Sequence, residues 1–477
     1  MSLLGLMRGR TTGLAACLVM LVACGGGSSG SSAPPTGGIT PTPSLTPAPT
    51  SAACSLSSRQ SWARDQIDEW YLFPNLLNLG ANPASYATLQ DYIDALVAPA
   101  RAQSRDRYFT YITSIAEENA YYEQGAVAGF GFRLGYDSSA RRVFVVEAFE
   151  NTSALGFGVD RGSEILEING QTVNSLMATG GPQAVIEALG PGDAGVTRTI
   201  RFRELQGAER TVQLSKTVYA LDPVSDRYGW RVFDDGGRKV GYLNLRTFID
   251  TAAPDLSEAF DQFKTQGVTD LIVDFRYNGG GLISIAELMG DLMSAGRAGQ
   301  VSGYLSFRPS KSANDETFTF RARSEAIAPV RIAFIGTGST ASASEMVINT
   351  MVPFLGTNMA LVGTNTYGKP VGQIARDRAE CDDRLRVVAL KIENRDREGE
   401  YYTGLASTVP VTCRAGDDIS RQLGEPDEGM IRAALDFLAG RSCTAIGAIG
   451  VRALPSREVL APEVPRSTIE RELPGAF

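Results

Sequence analysis

The stretch RIAFIGTGSTASASEMVINTM, residues 331–351, opens on an apolar run, crosses a segment of glycines and hydroxyls, and continues with apolar residues three and four apart. The first part predicts a buried strand and the last a helix beginning near Ala341. A strand that feeds a helix directly is the unit of an α/β layer fold. Outward from it the rhythm repeats. KVGYLNLRTF (239–248), DLIVDFRYN (270–278) and MALVGTNT (359–366) read as strands, ISIAELMGDLM (283–293) as a helix, and Gly429 to Leu438 as the last helix. Near-continuous apolar strands between helices imply a largely parallel sheet covered on both faces.

The same stretch poses a chemical question. Ser339, Ser342 and Ser344 lie where a helix begins, a place that aims backbone amides at a developing anion. Ser and Thr are also the ordinary caps of helices. The chain contains no histidine, which excludes a Ser-His-Asp triad and a Cys-His pair, so a serine nucleophile needs another base. Lysine is the known substitute. The six lysines are Lys216, Lys239, Lys264, Lys311, Lys369 and Lys391, and none follows a serine by three residues, so the Ser-x-x-Lys pattern is absent. Lys369 stands apart because TNTYGKPVGQ (364–373) directly follows a buried strand. A lysine lies ~3.4 pKa units from half-neutral at pH 7, roughly 4.6 kcal/mol, which burial can supply. A third fragment, DFRYNGGG (274–281), ends another strand with three glycines that allow close backbone approach.

Together the three fragments resemble the carboxyl-terminal processing, or tail-specific, serine peptidases. That family has D-L-R-x-N-x-G-G, S-A-S-A-S-E and G-K-G-x-x-Q motifs in this order. The matches here are Asp274 to Gly281, Thr340 to Glu345, and Gly368 to Gln373. The resemblance implies a crotonase-like α/β core, Ser344 as nucleophile, Lys369 as base and Gln373 as the third member. It also implies an oxyanion site built from backbone N–H groups of Gly280, Gly281 and Glu345, with no metal or organic cofactor. Pro370 stands where the family has glycine and supplies no amide. The alternative is a non-catalytic, membrane-anchored peptide- or ligand-binding protein on the same fold.

The rest of the chain divides by composition. Met1 to Ala23 has Arg8 and Arg10, a short apolar run and then Leu21-Val22-Ala23-Cys24, which reads as a secretory signal ending in a lipobox, with Cys24 the lipidated residue. Several acyl chains there would anchor the protein to a membrane. Residues 24–53 carry no charge and are rich in Gly, Ser, Pro and Thr, the composition of a tether. Residues 54–120 read as a small helical domain, from SRQSWARDQIDEWYLF (58–73) and LQDYIDALVAPAR (89–101).

Residues 121–220 show short alternating strands, with a helix in GPQAVIEALG (181–190), and form a β-rich module. The resemblance makes it a PDZ-like domain whose loop Gly129, Phe130, Gly131 and Phe132 would hold a peptide's terminal carboxylate; Ser163 stands where the family has aspartate. The α/β core spans 221–443, and 444–477 has no clear period and is left unassigned. Formal charge is −8 with no basic cluster, which argues against nucleic acid as a partner. Cys54, Cys381, Cys413 and Cys443 form an even set in an exported chain, with three possible pairings. The expected pairs are Cys381 with Cys413, closing a local excursion, and Cys54 with Cys443, tying the ends of the body. The expected location is the bacterial cell envelope, facing the periplasm, with Gly25 after Cys24 tilting toward the outer membrane.

Overall fold

The computed structural model describes residues 52–447 and 457–477. The signal, Cys24 and nearly all of the tether lie outside the described residues.

The central sheet has six strands in the order Trp230–Asp235, Arg238–Asn244, Asp270–Asp274, Arg331–Gly336, Met359–Gly363 and Thr412–Arg414. The first pair is antiparallel and the others parallel. Strand residues alternate between two layers. Leu271, Val273, Ile332, Phe334 and Leu361 face the cluster of helices Ala252–Thr265, Ile283–Leu292 and Ala343–Leu355. Ile272, Ala333, Ile335, Ala360 and Val362 face the helix Gly429–Leu438. Burial on both faces is why these strands read as unbroken apolar runs; each fully buried Leu, Ile, Val or Phe contributes about 1.5–3 kcal/mol.

A second sheet is built around Asp383–Asn394, which pairs antiparallel with Tyr111–Ser114, Val371–Arg378 and Val301–Phe307. The helices Leu56–Trp70 and Leu89–Leu96 bury Ile67, Tyr92 and Ile93 against Leu385, Val387 and Val388 of this sheet. The 54–120 segment therefore shares its core with the α/β region and is not a separate helical domain. An amphipathic helix has to bury its apolar face somewhere, and this sheet supplies the surface.

The β-rich module has its own core. Strands Phe132–Asp137, Arg142–Ala148, Glu164–Ile168, Thr197–Arg203 and Glu209–Ser215 form one antiparallel sheet. The helix Val173–Leu189 breaks at Gly181, whose φ of 63° precedes Pro182. Buried ion pairs hold the module to the core: Arg246 reaches Glu147 at 2.7 Å and Glu150 at 2.8 Å, and Arg161 reaches Asp417 at 2.5 Å. Removing one partner of such a pair leaves an uncompensated buried charge.

The expected disulfide pairing is also corrected. The disulfides join Cys54 to Cys381 and Cys413 to Cys443, with Cα atoms 5.5 and 5.3 Å apart, rather than Cys381 to Cys413 and Cys54 to Cys443. The start of the first helix lies on the second sheet, where Arg378 donates to the carbonyls of Ala53 and Ser58, so Cys381 is the thiol within reach of Cys54. Cys413 sits on the last strand of the central sheet, and Cys443 follows the helix packed on that sheet. The tail carries no assignment from sequence. Its described part contains a strand, Glu458–Val459, and a helix, Thr468–Glu472.

Candidate active site

Three loops leave the same end of the parallel sheet: 275–281 after Asp270–Asp274, 337–342 after Arg331–Gly336, and 364–370 after Met359–Gly363. Side chains that act on ligands gather at this end in α/β folds.

The first loop is locked from below. Arg276 is fully buried and pairs with Asp274 and Glu428, at 2.9 and 2.8 Å, and with Asp417 at 3.0 Å. These guanidinium contacts, with Arg161, hold the Asp417 carboxyl well below the usual carboxylate range. Above the lock, the Asn278 side chain donates to the Leu245 carbonyl and accepts from the Gly280 N–H at 2.9 Å. The Asn278 carbonyl accepts from the Ala341 N–H and from Ser344 Oγ, both at 3.1 Å. Gly280 has φ +113° and lies so near the helix entrance that a Cβ there would be 2.7 Å from Ser342 Cβ. Ser342 is itself held at φ 54°, a strained value for a residue with a side chain.

Ser344 stands in the first turn of the Ala343–Leu355 helix and is 0% exposed. The next residue ties two loops together. Buried Glu345 accepts from the amides of Gly368 and Lys369, each at 2.7 Å, from Thr366 Oγ1 at 2.6 Å and from the Ser342 amide at 3.1 Å. Burial pushes its carboxyl up, and these four donors oppose that shift. Sequence reasoning assigned only the backbone N–H of Glu345 to the site; its carboxylate is what fixes Lys369 relative to Ser344.

Lys369 Nζ donates to Gln373 Oε1 at 2.8 Å, and Gln373 Nε2 donates to the Phe109 carbonyl at 2.5 Å. The amine also lies 4.9 Å from the Phe109 ring centroid. Burial pushes the Lys369 amine below the usual lysine value, while the carboxylates of Glu472 and Asp106 push it back up. Phe109 is placed by buried Asp106, which accepts from the amides of Phe109 and Thr110 and from the Tyr71 hydroxyl. Arg107 clamps the lysine loop by donating to the carbonyls of Tyr367 and Gly368, at 2.9 and 2.6 Å. Arg107 and Phe109 were not identified from sequence, because they lie over 250 residues from the loop they hold.

The structure thus brings Gly280, Gly281, Ser344, Glu345, Lys369 and Gln373 into one cluster. In this arrangement the Ser344 hydroxyl points to Asn278 and the Lys369 amine to Gln373. Gly280's amide, expected to face an oxyanion, is turned to Asn278. Beside Lys369 lies a cleft of about 290 Å³, lined by Phe109, Tyr111, Gly279, Tyr367 and Lys369 on one side and by residues 459–474 on the other. Gly129, Phe130, Gly131 and Phe132 lie in the module, where Phe130 and Phe132 are wholly buried and stacked. Lengthwise along the Phe132–Asp137 strand the tail adds hydrogen bonds, and Gly131 donates its N–H to the Phe477 carbonyl at 3.0 Å.

Residues 239–409 match the model of Peptidase family S41. The chain is 28% identical over 165 residues to carboxyl-terminal-processing peptidase 3, chloroplastic, of Arabidopsis thaliana, covering 33% of this chain and 31% of that one. It is 23% identical over 319 residues to a carboxyl-terminal-processing protease of Synechocystis, covering 66% and 69%. The chain spans about a third of the length of the first two curated relatives, 31% and 36%. A crystal structure from Bacteroides fragilis assigned to the S41 proteases superposes with a TM-score of 0.61 at 22% identity, covering 80% of this chain and 97% of that one, a likeness of fold. Residues 239–409 are thus similar to peptidase family S41, and the relatives with which the chain shares sequence are carboxyl-terminal processing proteases.

Proposed function

We propose that the chain is a serine endopeptidase in which Ser344 attacks a peptide carbonyl and Lys369 is the general base. The observation that carries this reading is a lysine pushed toward its neutral form by burial, held by Gln373, and tied through Glu345 to a serine at a helix start. Neutral Lys369 takes the Ser344 proton as Oγ attacks. The tetrahedral intermediate collapses as protonated Lys369 gives that proton to the leaving amine, giving an acyl-enzyme, and water activated by the again-neutral Lys369 then releases the acid and frees Ser344. Rotation about χ1 of Ser344 turns Oγ from the Asn278 carbonyl toward the amine. Backbone N–H groups of Glu345, Gly281 and Gly280 hold the oxyanion, Gly280 after leaving Asn278, each such donor being worth about 2.7–4 kcal/mol. Gln373 orients the amine through its anchor on Phe109.

The module acts as a PDZ-like domain that receives substrate tails as an added strand along Phe132–Asp137, with an oxygen of the tail at the Gly131 amide. The chain is exported, lipidated at Cys24, and works at the bacterial envelope facing the periplasm. Protein and peptide tails are its partners. Hydrolysis of an unstructured protein by the parent, with loss in Ser344→Ala and Lys369→Ala, tests the reading; full activity in Lys369→Ala would refute it.

A further inference from the structure

The free edge of the Phe132–Asp137 strand is filled along its length by the tail. Glu458 and Val459 pair with Tyr136 and Gly135, and the Leu460 amide donates to the Leu134 carbonyl. The chain then leaves the edge and returns at 475–477. There the Leu134 amide donates to the Gly475 carbonyl, Ala476 bridges Arg133, and the Phe477 amide donates to the Phe132 carbonyl. Phe477 is 8% exposed and packs in the module's core cluster with Phe130 and Phe132. Gly129 makes this approach possible, since a Cβ there would lie 2.8 Å from the Phe477 carbonyl carbon.

Between these two contacts the chain arches over the cleft. Pro474 Cδ and the Glu472 carbonyl come within 3.2 and 3.3 Å of where a Cβ of Gly279 would stand. The Tyr111 hydroxyl donates to Glu472, and Arg471 lies 4.0 Å over the Tyr111 ring. The arch is the far wall of the cleft that holds Lys369, and it faces Gly279 and Ala341 of the loops that carry the helix entrance.

We propose that residues 457–477 are a built-in occupant of the substrate path, and that a substrate enters by displacing them. The proposal rests on the peptidase reading for its consequence and on geometry for its premise. The edge contacts are main-chain hydrogen bonds, which an incoming strand of any sequence can remake. The arch is held otherwise by Leu473, buried beside Tyr121 and Phe149, and by side-chain hydrogen bonds from Tyr111 to Glu472 and from Arg471 to the Tyr108 carbonyl; its helix is five residues long, too short to stand alone, and prolines at 462, 465 and 474 limit regular pairing. The pocket around Phe477 is apolar, so the groove takes a strand that places an aromatic or large aliphatic side chain there.

Gly475 gives a test that leaves the groove and the catalytic side chains intact. It has φ +79°, and a Cβ would lie 2.2 Å from Val459 Cγ1 and 3.0 Å from the Leu134 carbonyl oxygen, so Gly475→Val should release the strand. The full chain is measured two ways. In Ser344→Ala protein, amide hydrogen exchange of 457–477 is followed with and without a millimolar peptide of sequence Glu-Leu-Pro-Gly-Ala-Phe. Displacement predicts that exchange at 475–477 accelerates with the peptide and in Gly475→Val; amides that stay protected at saturating peptide would overturn the proposal. In otherwise unchanged protein, the closed strap removes molecules from the competent fraction, so Gly475→Val should raise kcat/KM above the parent's. Release of the strand with kcat/KM at or below the parent's would also overturn it. If no variant hydrolyses protein, the peptidase reading fails, and the exchange experiment still decides whether the tail yields to a peptide.

Discussion

A methyl group on Gly280 tests whether the glycine loop is docked on the helix entrance as described. In Gly280→Ala the new Cβ would stand 2.7 Å from Ser342 Cβ and 3.0 Å from both the Ala341 carbonyl oxygen and the Ala343 nitrogen. Ordinary contact begins at 3.4 Å, so the entrance must retreat by 0.7 Å along the closest approach. Two of the three obstacles are backbone and cannot swing aside. Holding alanine at φ +113° adds about 1–3 kcal/mol of strain, and the overpacking about 1–3 kcal/mol more. A loss of ~2–6 kcal/mol in urea unfolding is expected. The same retreat moves Ser342 to Ser344 away from the lysine loop, and a displacement approaching 1 Å in a catalytic cluster costs about a hundredfold in rate. Equilibrium unfolding and protein hydrolysis are measured on one preparation. A variant within 1 kcal/mol of the parent, hydrolysing at the parent rate, would refute the close docking of the two segments.

On the Ser-Lys account the Lys369 amine acts when neutral, and burial moves its titration below the usual lysine value, so hydrolysis should rise with pH along an acid limb below the free-lysine range. Glu472 favours the protonated amine, so Glu472→Gln should shift that limb to lower pH in kcat/KM, which reports the free enzyme, while leaving the limb of kcat in place because the tail has then departed; equal shifts in both, or none, would contradict the arrangement. The Cys54–Cys381 bond spans 327 residues, and in the chain-entropy model its loss costs about 6 kcal/mol. Cys54→Ser should therefore lower stability strongly and leave Cys381 as the one newly alkylatable thiol, whereas alkylation of Cys443 would contradict the pairing.

How far the sequence reveals this depends on how locally each feature is specified. The central strands were legible because burial on both faces leaves unbroken apolar runs, and Gly429–Leu438 because its apolar face repeats at helical spacing. The proposed set Ser344, Lys369 and Gln373 comes from motifs and the lack of histidine. The features missed are those made by distant segments. Glu345 looked like a helix residue, yet its carboxylate gathers amides from a loop more than twenty residues on. Disulfide partners follow from which elements share a sheet, information absent from cysteine spacing. Residues 475–477 are too few to show a strand period, and only the Phe132–Asp137 edge makes them one.

The measurement closest to the central claim is hydrolysis of an unstructured protein with an apolar tail by the full chain and by its Ser344→Ala and Lys369→Ala variants, each checked for folding by thermal unfolding. The Ser-Lys account predicts cleavage by the parent and loss of cleavage in both folded variants. Cleavage by folded Lys369→Ala at the parent rate would contradict it.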